Sequence, residues 1–346
     1  MVLRDRHSEK VVTIFGPPGT GKTTRLLNIV EEEINNGTAV DKIGYFSFTK
    51  KAAHEAITRA MIKFRLDKKD FTYFRTLHSL AYHHLNLNPV DVMSDLNYRE
   101  VSDWLQIKIN NPNKSINELG ISTPKDVYLT LIDQSKIQGV SLQNQFARSG
   151  MHIDGGFDRL NYIDRGIRKY KDKHKLFDYT DMILEFIKMN NAPRLDVVIV
   201  DEAQDLSLIQ WLMVEQLIRK ADRAYIAGDD DQAIFNWAGA DMGRLGKLQC
   251  KREILDKSYR IPGKVHTIAQ KIITPIVDRV PKVWQPREEA GDVQYHRTRL
   301  NPHMNLTDGT WLILARTNYL LDQLAEDLKT RGLFFERYGR SSVSEK

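Results

Sequence analysis

Short apolar runs that end in glycine or polar residues recur along the chain and predict the strands of an α/β fold. The four clearest runs are Val11–Phe15, Ile43–Phe48, Val197–Val200 and Ala224–Ala227. Stretches with helical periodicity follow the first two runs, over residues 22–31 and 50–64. In open parallel sheets, ligands bind at the carboxyl ends of the strands. We therefore expect a binding site where these four runs end.

The pattern changes twice after the second helix. Residues 81–194 predict helices and give no strong strand signal, with candidates at Tyr98–Ile109, Pro124–Gln138 and Phe157–Tyr170. Strand-helix alternation resumes after residue 250, with predicted strands at Glu253–Leu255, Val293–Tyr295, Trp311–Ala315 and Phe334–Glu336, and helices from Pro262 and over Tyr319–Thr330. We predict a first α/β domain of residues 1–80 plus 195–250, a helical insertion over 81–194, and part of a second α/β domain over 251–346.

Composition excludes several classes of protein. Apolar residues make up 41% and charged residues 28% of the 346 positions, which is ordinary for a globular protein and excludes collagen-like and disordered chains. The single Cys250 cannot form an intramolecular disulfide, so we expect a reducing, cytoplasmic environment. The longest apolar runs are far shorter than the roughly 20 residues of a membrane span, and the amino terminus has no signal-peptide pattern. We expect no membrane partner.

Positive charge is concentrated in one segment. Residues 42–75 contain nine Lys or Arg against three acids, which accounts for the whole net charge of +6. A solvated helix face and a contact surface for a polyanion both fit this segment.

A phosphate-binding motif joins the first predicted strand to the first predicted helix. Residues 16–23, Gly-Pro-Pro-Gly-Thr-Gly-Lys-Thr, satisfy G-x-x-x-x-G-K-[ST]. In this motif backbone N–H groups surround the phosphates, so Lys22 would reach the β/γ-phosphates and the Thr23 hydroxyl would hold Mg²⁺. The motif predicts a nucleoside triphosphate site.

Two carboxylates at the end of the third run separate hydrolysis from phosphate transfer. Asp201 is placed to order the Mg²⁺ shell, and Glu202 beside it can polarise an attacking water. A small-molecule kinase needs no water-activating glutamate. The pair favours hydrolysis over the kinase alternative.

Further segments in the same chain resemble the motifs of the UvrD/Rep/PcrA family of superfamily 1 DNA helicases. Tyr45–Ala53 is similar to that family's T-F-T-N-K-A-A, and Arg75–Ser79 to G-T-F-H-S. Phe177–Asp181 is similar to the family's D-F-D-D-L, and Asp201–Asp205 to its acidic motif. Gly228–Ala240 is similar to G-D-D-D-Q-S-I-Y-x-W-R-G-A, and Leu255–Arg260 to L-x-x-N-Y-R.

The resemblance implies a RecA-like P-loop NTPase domain with a helical insertion, followed by part of a second RecA-like domain. It implies an ATP hydrolase that moves along single-stranded DNA, 3′-to-5′, as its two α/β domains close and open. Gln232 would sense the γ-phosphate, Tyr259 would stack on adenine, and Arg260 would stabilise transition-state charge. The implied catalytic residues are Lys22, Asp201, Glu202, Gln232 and Arg260. The other implied nucleotide contacts are Gly16, Gly19, Thr20, Gly21, Thr23, Thr24, Arg25, Gln204 and Tyr259, with Thr23 and Asp201 holding Mg²⁺.

The resemblance also assigns DNA contacts. Aromatic faces suit sequence-independent stacking of bases, and positive groups suit the backbone. The implied contacts are Phe48, Thr49, Lys50, Lys51, Thr76, His78, Phe235 and Trp237, with single-stranded DNA or a single/double-strand junction as the partner. Core packing is the alternative for the three aromatic residues.

Three departures from the family pattern define the open alternatives. The fifteen residues before Gly16 include neither Gln nor Asn to read adenine, and Thr24 replaces the family's arginine, with Arg25 one place later. The chain stops at Lys346 without two later motifs, so we expect an incomplete second sheet. A fragment, a partner chain that supplies the missing half, and an ATP-gated single-stranded-DNA-binding module that does not unwind DNA all remain open.

Overall fold

The computed structural model describes residues 9–109, 126–235, 239–241, 243–295, 306–337 and 340–341. Trp237, predicted to contact DNA, lies outside these residues. The chain divides into two compact units, residues 1–291 and 292–346.

A six-stranded parallel sheet forms the centre of the first unit. Its strands are β1 (Val11–Phe15), β2 (Ile43–Ser47), β3 (Phe74–Thr76), β4 (Val197–Asp201), β5 (Arg223–Gly228) and β6 (Lys251–Ile254), in the order β3-β2-β4-β5-β1-β6. Every neighbouring pair is parallel. Ser47 lies opposite Asp201, and Phe15 opposite Gly228, so the carboxyl ends of these strands meet at one edge. The prediction of an α/β fold is confirmed.

The first unit contains helices that cover both faces of the sheet and helices that lie outside it. They are α1 (Lys22–Asn35), α2 (Lys50–Phe64), α3 (Leu77–His84), α4 (Asp95–Leu105), α5 (Val127–Gln138), α6 (Leu142–Ser149), α7 (Gly156–His174), α8 (Tyr179–Met189), α9 (Leu208–Lys220) and α10 (Gly263–Ile273). Alternate residues of β4 enter opposite layers: Val197 and Ile199 pack with α1 and α2, whereas Val198 and Val200 pack with α3, α8 and α9. Burial on both faces explains why residues 197–200 of this strand are all apolar.

Helices α4 to α7 have an apolar core of their own, which includes Val101, Leu131, Leu160 and Ile163. All described residues of this region lie outside the sheet, as the sequence predicts. α8 packs under the sheet with α9, although the predicted insertion extends to residue 194. β6 likewise belongs to the first sheet although it follows the predicted boundary at residue 250. The domain boundaries stay a prediction.

A buried ionic cluster joins α5 and α7 to the start of α8. Lys136 Nζ lies 3.1 Å from Asp178 and 2.9 Å from Asp181. Lys171 Nζ lies 2.7 Å from Asp178 and also contacts Asp181. Burial and the neighbouring Asp178 raise the pKa of Asp133, on α5, to about 7. Charged contacts, in addition to apolar ones, therefore hold the insertion to the α/β domain.

The second unit contains α11 (Asn318–Thr330) and a short hairpin of β7 (Glu336–Arg337) and β8 (Arg340–Ser341). The strands predicted at Val293–Tyr295 and Trp311–Ala315 are wrong, since the described part of the chain pairs no strand with them. Leu312 and Leu314 are 83% and 80% exposed, so this apolar run is not buried as a strand of a sheet would be. The predicted α11 is confirmed, while a second RecA-like domain stays a prediction.

Candidate functional site

The loop between β1 and α1 is organised around Lys22. The Lys22 side chain is buried, and its Nζ donates a hydrogen bond to the Gly16 carbonyl at 3.0 Å. A Cβ on Gly16 would lie 2.1 Å from Lys22 Cγ, so glycine is required where the lysine crosses the loop. The positive end of the α1 dipole faces the same loop. The motif thus folds into a cradle for phosphate oxygens.

Asp201, at the end of β4, accepts hydrogen bonds from two hydroxyl groups. The Thr23 hydroxyl donates to Asp201 Oδ2 at 3.2 Å, and the buried Tyr45 hydroxyl donates to the same oxygen at 2.8 Å. Burial and the charge of Glu202 raise the pKa of Asp201 to about 6. The two predicted metal ligands are therefore neighbours. The sequence did not identify Tyr45, which is 156 residues from Asp201 along the chain.

Glu202 is held in an uncommon backbone conformation beside the phosphate loop. Its φ of 53° is unfavourable for a residue with a Cβ, and such strain is concentrated at functional sites. Glu202 Oε2 lies 3.8 Å from Lys22 Nζ and accepts a hydrogen bond from Gln204 Nε2 at 2.9 Å. The carboxylate is half-exposed, so a water molecule can reach it.

A chain of hydrogen bonds runs from Glu202 to the end of β5. Gln204, which donates to Glu202, accepts from the Asp229 N–H at 3.0 Å. Asp229 Oδ2 in turn accepts from Gln232 Nε2 at 2.5 Å. Gln204 and Asp229 are buried, so solvent cannot substitute for these bonds. Gln204 and Gln232, both predicted to contact nucleotide, thus belong to one network.

The segment after β6 packs directly on the phosphate loop. Ser258, which stands where the family motif has asparagine, donates from Oγ to the Pro18 carbonyl at 2.7 Å. The Tyr259 N–H donates to the Gly19 carbonyl at 2.9 Å. A Cβ on Gly19 would lie 2.3 Å from Arg260 Cβ, so this glycine permits the contact. The Tyr259 and Arg260 side chains are exposed beside the loop.

The remaining predicted loop residues occupy different environments. The Thr20 hydroxyl donates to the Pro17 carbonyl at 2.8 Å, and Gly21 takes φ 87° just before α1. Thr24 is exposed. The Arg25 guanidinium lies 2.8 Å from Glu253 and 3.2 Å from Glu32, so two carboxylates already engage it. Its role at the nucleotide stays a prediction.

Six of the predicted DNA contacts lie at the ends of β2 and β3 or just after them, at the carboxyl edge of the sheet: Phe48, Thr49, Lys50, Lys51, Thr76 and His78. The Thr49 hydroxyl accepts from the Ala52 N–H at the start of α2, and the Thr76 hydroxyl accepts from the Ser79 N–H at the start of α3. Because β2 and β3 are parallel neighbours, the two helix amino termini open side by side. Lys50 and Lys51, both exposed, add charge there. This edge suits phosphate groups.

Aromatic side chains connect this edge to the segment after Gln232. The Phe48 and Phe235 rings lie 5.6 Å apart between centroids, and both are half-buried. Phe48 also packs against the apolar core, which was the alternative role considered for it. His78 contacts the Tyr179 ring edge-on at 6.1 Å. Burial and the nearby Lys50 lower the pKa of His78 to about 4, so it is neutral at pH 7.

The parallel sheet, with a phosphate loop and an acidic strand end at one edge, defines a RecA-like P-loop NTPase fold. Residues 4–252 match the UvrD/REP helicase N-terminal domain. The chain therefore belongs to the UvrD/Rep helicase family. Among its described residues, no helix is long and apolar enough to cross a membrane.

Curated relatives agree with this assignment. The chain is 25% identical over 332 residues to the ATP-dependent DNA helicase srs2 of Schizosaccharomyces pombe, covering 86% of this chain and 36% of that protein. It is 27% identical over 323 residues to DNA helicase II of Haemophilus influenzae, covering 84% and 43%. A probable DNA helicase of Mycoplasma pneumoniae is 25% identical over 295 residues, covering 79% and 54%. The chain thus spans roughly a third to a half of the length of these relatives.

Proposed function

We propose that this chain is the ATP-hydrolysing part of a motor that moves along single-stranded DNA, 3′-to-5′, toward single/double-strand junctions. The observation that carries the proposal is the buried hydrogen-bond chain Glu202–Gln204–Asp229–Gln232. Gln232 is three residues from Phe235, whose ring contacts Phe48. The hydrogen-bond chain thus runs from the proposed water-activating carboxylate to the segment that carries a proposed DNA contact, which supports coupling between hydrolysis and DNA binding.

The positions of the individual residues support the following roles. Lys22 and the loop N–H groups bind the β- and γ-phosphates, and Glu202 takes a proton from the attacking water. Arg260, held against the loop through Ser258 and Tyr259, neutralises charge that develops on the γ-phosphate. Thr23 and Asp201 fit Mg²⁺, since both present hard oxygen ligands at one point, and the ion would neutralise phosphate charge there.

Two assays on the purified chain test the proposal. ATP hydrolysis is measured with and without oligo(dT), and displacement of a strand from a duplex with a 3′ single-stranded tail is then measured. DNA-stimulated hydrolysis supports the proposal, and displacement supports the helicase activity as well. Stimulation without displacement would favour an ATP-gated DNA-binding module. Absence of hydrolysis in both conditions would contradict the proposal.

Removing the Tyr45 hydroxyl is expected to weaken the metal site without loosening the fold. Tyr45→Phe keeps the ring, which stacks on Phe74 at 5.3 Å, but Asp201 loses one donor. Loss of a hydrogen-bond partner of a metal ligand typically costs about 10- to 100-fold in metal affinity, so hydrolysis at limiting Mg²⁺ should fall about tenfold or more. Hydrolysis is titrated with Mg²⁺, and thermal unfolding is followed in parallel. Tyr225→Phe, which removes a strand tyrosine's bond to Glu33, is the matched control. A Mg²⁺ titration identical to that of the wild type would refute this role.

Affinity for single-stranded DNA is expected to fall steeply with salt. For single strands, log K changes by about −0.7 per unit of log[salt] for each phosphate neutralised. Neutralising about three phosphates should therefore weaken binding more than about tenfold between roughly 50 and 200 mM salt. Fluorescence anisotropy with labelled oligo(dT) measures this change.

A pair of double variants assigns the salt dependence to one surface. Lys50→Gln with Lys51→Gln should reduce the salt slope, since these residues begin α2 at the carboxyl edge of the sheet. Lys68→Gln with Lys69→Gln removes equal charge between α2 and β3, at the opposite edge, and should leave the slope unchanged. Equal effects of the two pairs would mean that net charge, not this edge, binds the DNA.

A further inference from the structure

Lys282 is a buried cation with no assigned role in nucleotide or DNA binding. Its ammonium is fully buried, although a lysine is almost never buried without a partner. It lies 3.0 Å from Asp229 and 3.0 Å from Asp231, and it also contacts Asp230. The Lys282 Nζ is also 5.7 Å from the centre of the Phe15 ring, directly before the phosphate loop. This lysine thus lies between the phosphate loop and the end of β5.

The three aspartates keep Lys282 charged. Burial alone would disfavour the ammonium, but Asp229 and its two neighbours outweigh it and raise the pKa of Lys282 above its usual value. Removing one partner from such a buried cluster leaves uncompensated charge, which is strongly unfavourable. The contact is therefore maintained across the neutral pH range.

The Asp229 carboxylate divides its two oxygens between Lys282 and Gln232. Oδ1 lies 3.0 Å from the Lys282 ammonium, while Oδ2 accepts the hydrogen bond from Gln232 Nε2. A carboxylate held at one oxygen by a buried cation cannot rotate freely. The direction of the Gln232 amide therefore depends on a lysine 50 residues further along the chain.

We propose that Lys282 is a positioning residue for Gln232, acting through Asp229 to aim the glutamine amide at the γ-phosphate. The proposal rests on the proposed function, which places Gln232 at that phosphate. It adds a contact from the segment after α10, which is outside the phosphate loop and the acidic motif. Loss of Lys282 should therefore reduce the rate of hydrolysis and leave nucleotide binding intact.

A neighbouring ion pair provides the matched comparison. Arg279 forms a bidentate contact with Asp231, in which Nε lies 2.7 Å from Oδ1 and Nη2 lies 2.6 Å from Oδ2. The Arg279 guanidinium is hydrogen-bonded to Asp231 rather than to Asp229, so its removal disturbs the loop without directly releasing the carboxylate that holds Gln232. A structural role for the whole cluster would make both sites equally sensitive, whereas a positioning role distinguishes them.

The test uses charge-balanced double variants. Lys282→Met with Asp230→Asn removes one charge of each sign. Arg279→Met with Asp231→Asn does the same, while Lys282 keeps its contacts with Asp229 and Asp230. Exposed Lys271, mutated to Met, controls for loss of a lysine. Hydrolysis with oligo(dT), binding of a fluorescent non-hydrolysable ATP analogue, and thermal unfolding are measured for each protein.

The Lys282→Met/Asp230→Asn variant should lower kcat about 10- to 100-fold, as expected when a catalytic group such as Gln232 is misplaced. The Kd of the ATP analogue should be unchanged. The Arg279→Met/Asp231→Asn variant should lower kcat less than this, since replacing both members of a buried ion pair together is often close to neutral. Equal losses of kcat in the two double variants would overturn the proposal. So would a wild-type kcat in a folded Lys282→Met/Asp230→Asn variant. If the Lys282→Met/Asp230→Asn variant does not fold, Asp229→Asn replaces it, since its amide can present an acceptor oxygen to only one of the two donors.

Hydrogen exchange over residues 229–235, without nucleotide, distinguishes this proposal from the proposed function. Faster exchange in the Lys282→Met/Asp230→Asn variant than in the Arg279→Met/Asp231→Asn variant supports the positioning contact. This holds even if the wild type does not hydrolyse ATP, because absence of hydrolysis would contradict the proposed function alone. Equal exchange in the two double variants would overturn the positioning contact, whatever the wild type hydrolyses.

Discussion

Lys22→Ala is expected to reduce ATP hydrolysis by about 10²-fold or more, with weakened nucleotide binding. The Lys22 ammonium is the buried cation inside the phosphate loop, bonded to the Gly16 carbonyl and 3.8 Å from Glu202. When a triphosphate binds, this charge is already in place and needs no reorganisation. Alanine would remove this cation and leave the backbone N–H groups as the loop's remaining contacts to the phosphates.

The measurement combines steady-state hydrolysis with equilibrium binding of a fluorescent ATP analogue. Lys271→Ala, at an exposed position on α10, is the control and should behave as the wild type. Thermal unfolding must show that the Lys22 variant is folded. Wild-type turnover in a folded Lys22→Ala protein would mean that the loop is not the site of hydrolysis.

Glu202→Gln is expected to bind ATP normally and to hydrolyse it about 10²- to 10⁴-fold more slowly. Glutamine keeps the size of the side chain and can still accept a hydrogen bond from Gln204. It cannot accept a proton from water. Binding should persist because Lys22 and the loop backbone are unchanged.

Single-turnover hydrolysis with excess protein, beside analogue binding, separates the chemical step from binding. Glu185→Gln, which alters a surface pair with Lys188 on α8, is the matched control. A Glu202→Gln protein that turns over at the wild-type rate would show that Glu202 is not the general base. A large loss of binding would instead point to a structural role for the carboxylate.

The sequence predicts most of the first domain because its elements depend on local patterns. β1 and α2 have the predicted bounds, and β4 extends the predicted run by one residue. A parallel strand buried on both faces reads as a nearly continuous apolar run, and Thr49 is a favourable residue to cap the amino end of α2. The phosphate loop has a fixed spacing, so its residues could be named before its geometry was known.

The contacts missed by the sequence join residues that are far apart in the chain. Tyr45 appears only as an apolar strand position until β2 pairs with β4, and Lys282 belongs to none of the motifs in the sequence. β3 has only three residues, too few to show an alternating pattern. The run at Trp311–Ala315 has strand composition, but a strand also needs a neighbour with which to pair.

The ionic cluster between the helical insertion and α8 has a consequence for motion. The insertion and the sheet have separate apolar cores, so each can open as its own cooperative unit. Reorienting the insertion would have to break the contacts of Lys136 and Lys171 with Asp178 and Asp181. Buried ion pairs tolerate little misalignment, so intermediate orientations would leave charges unpaired. The cluster should therefore favour one orientation of the insertion. Movement of the insertion away from that orientation should be a two-state change and not a gradual one.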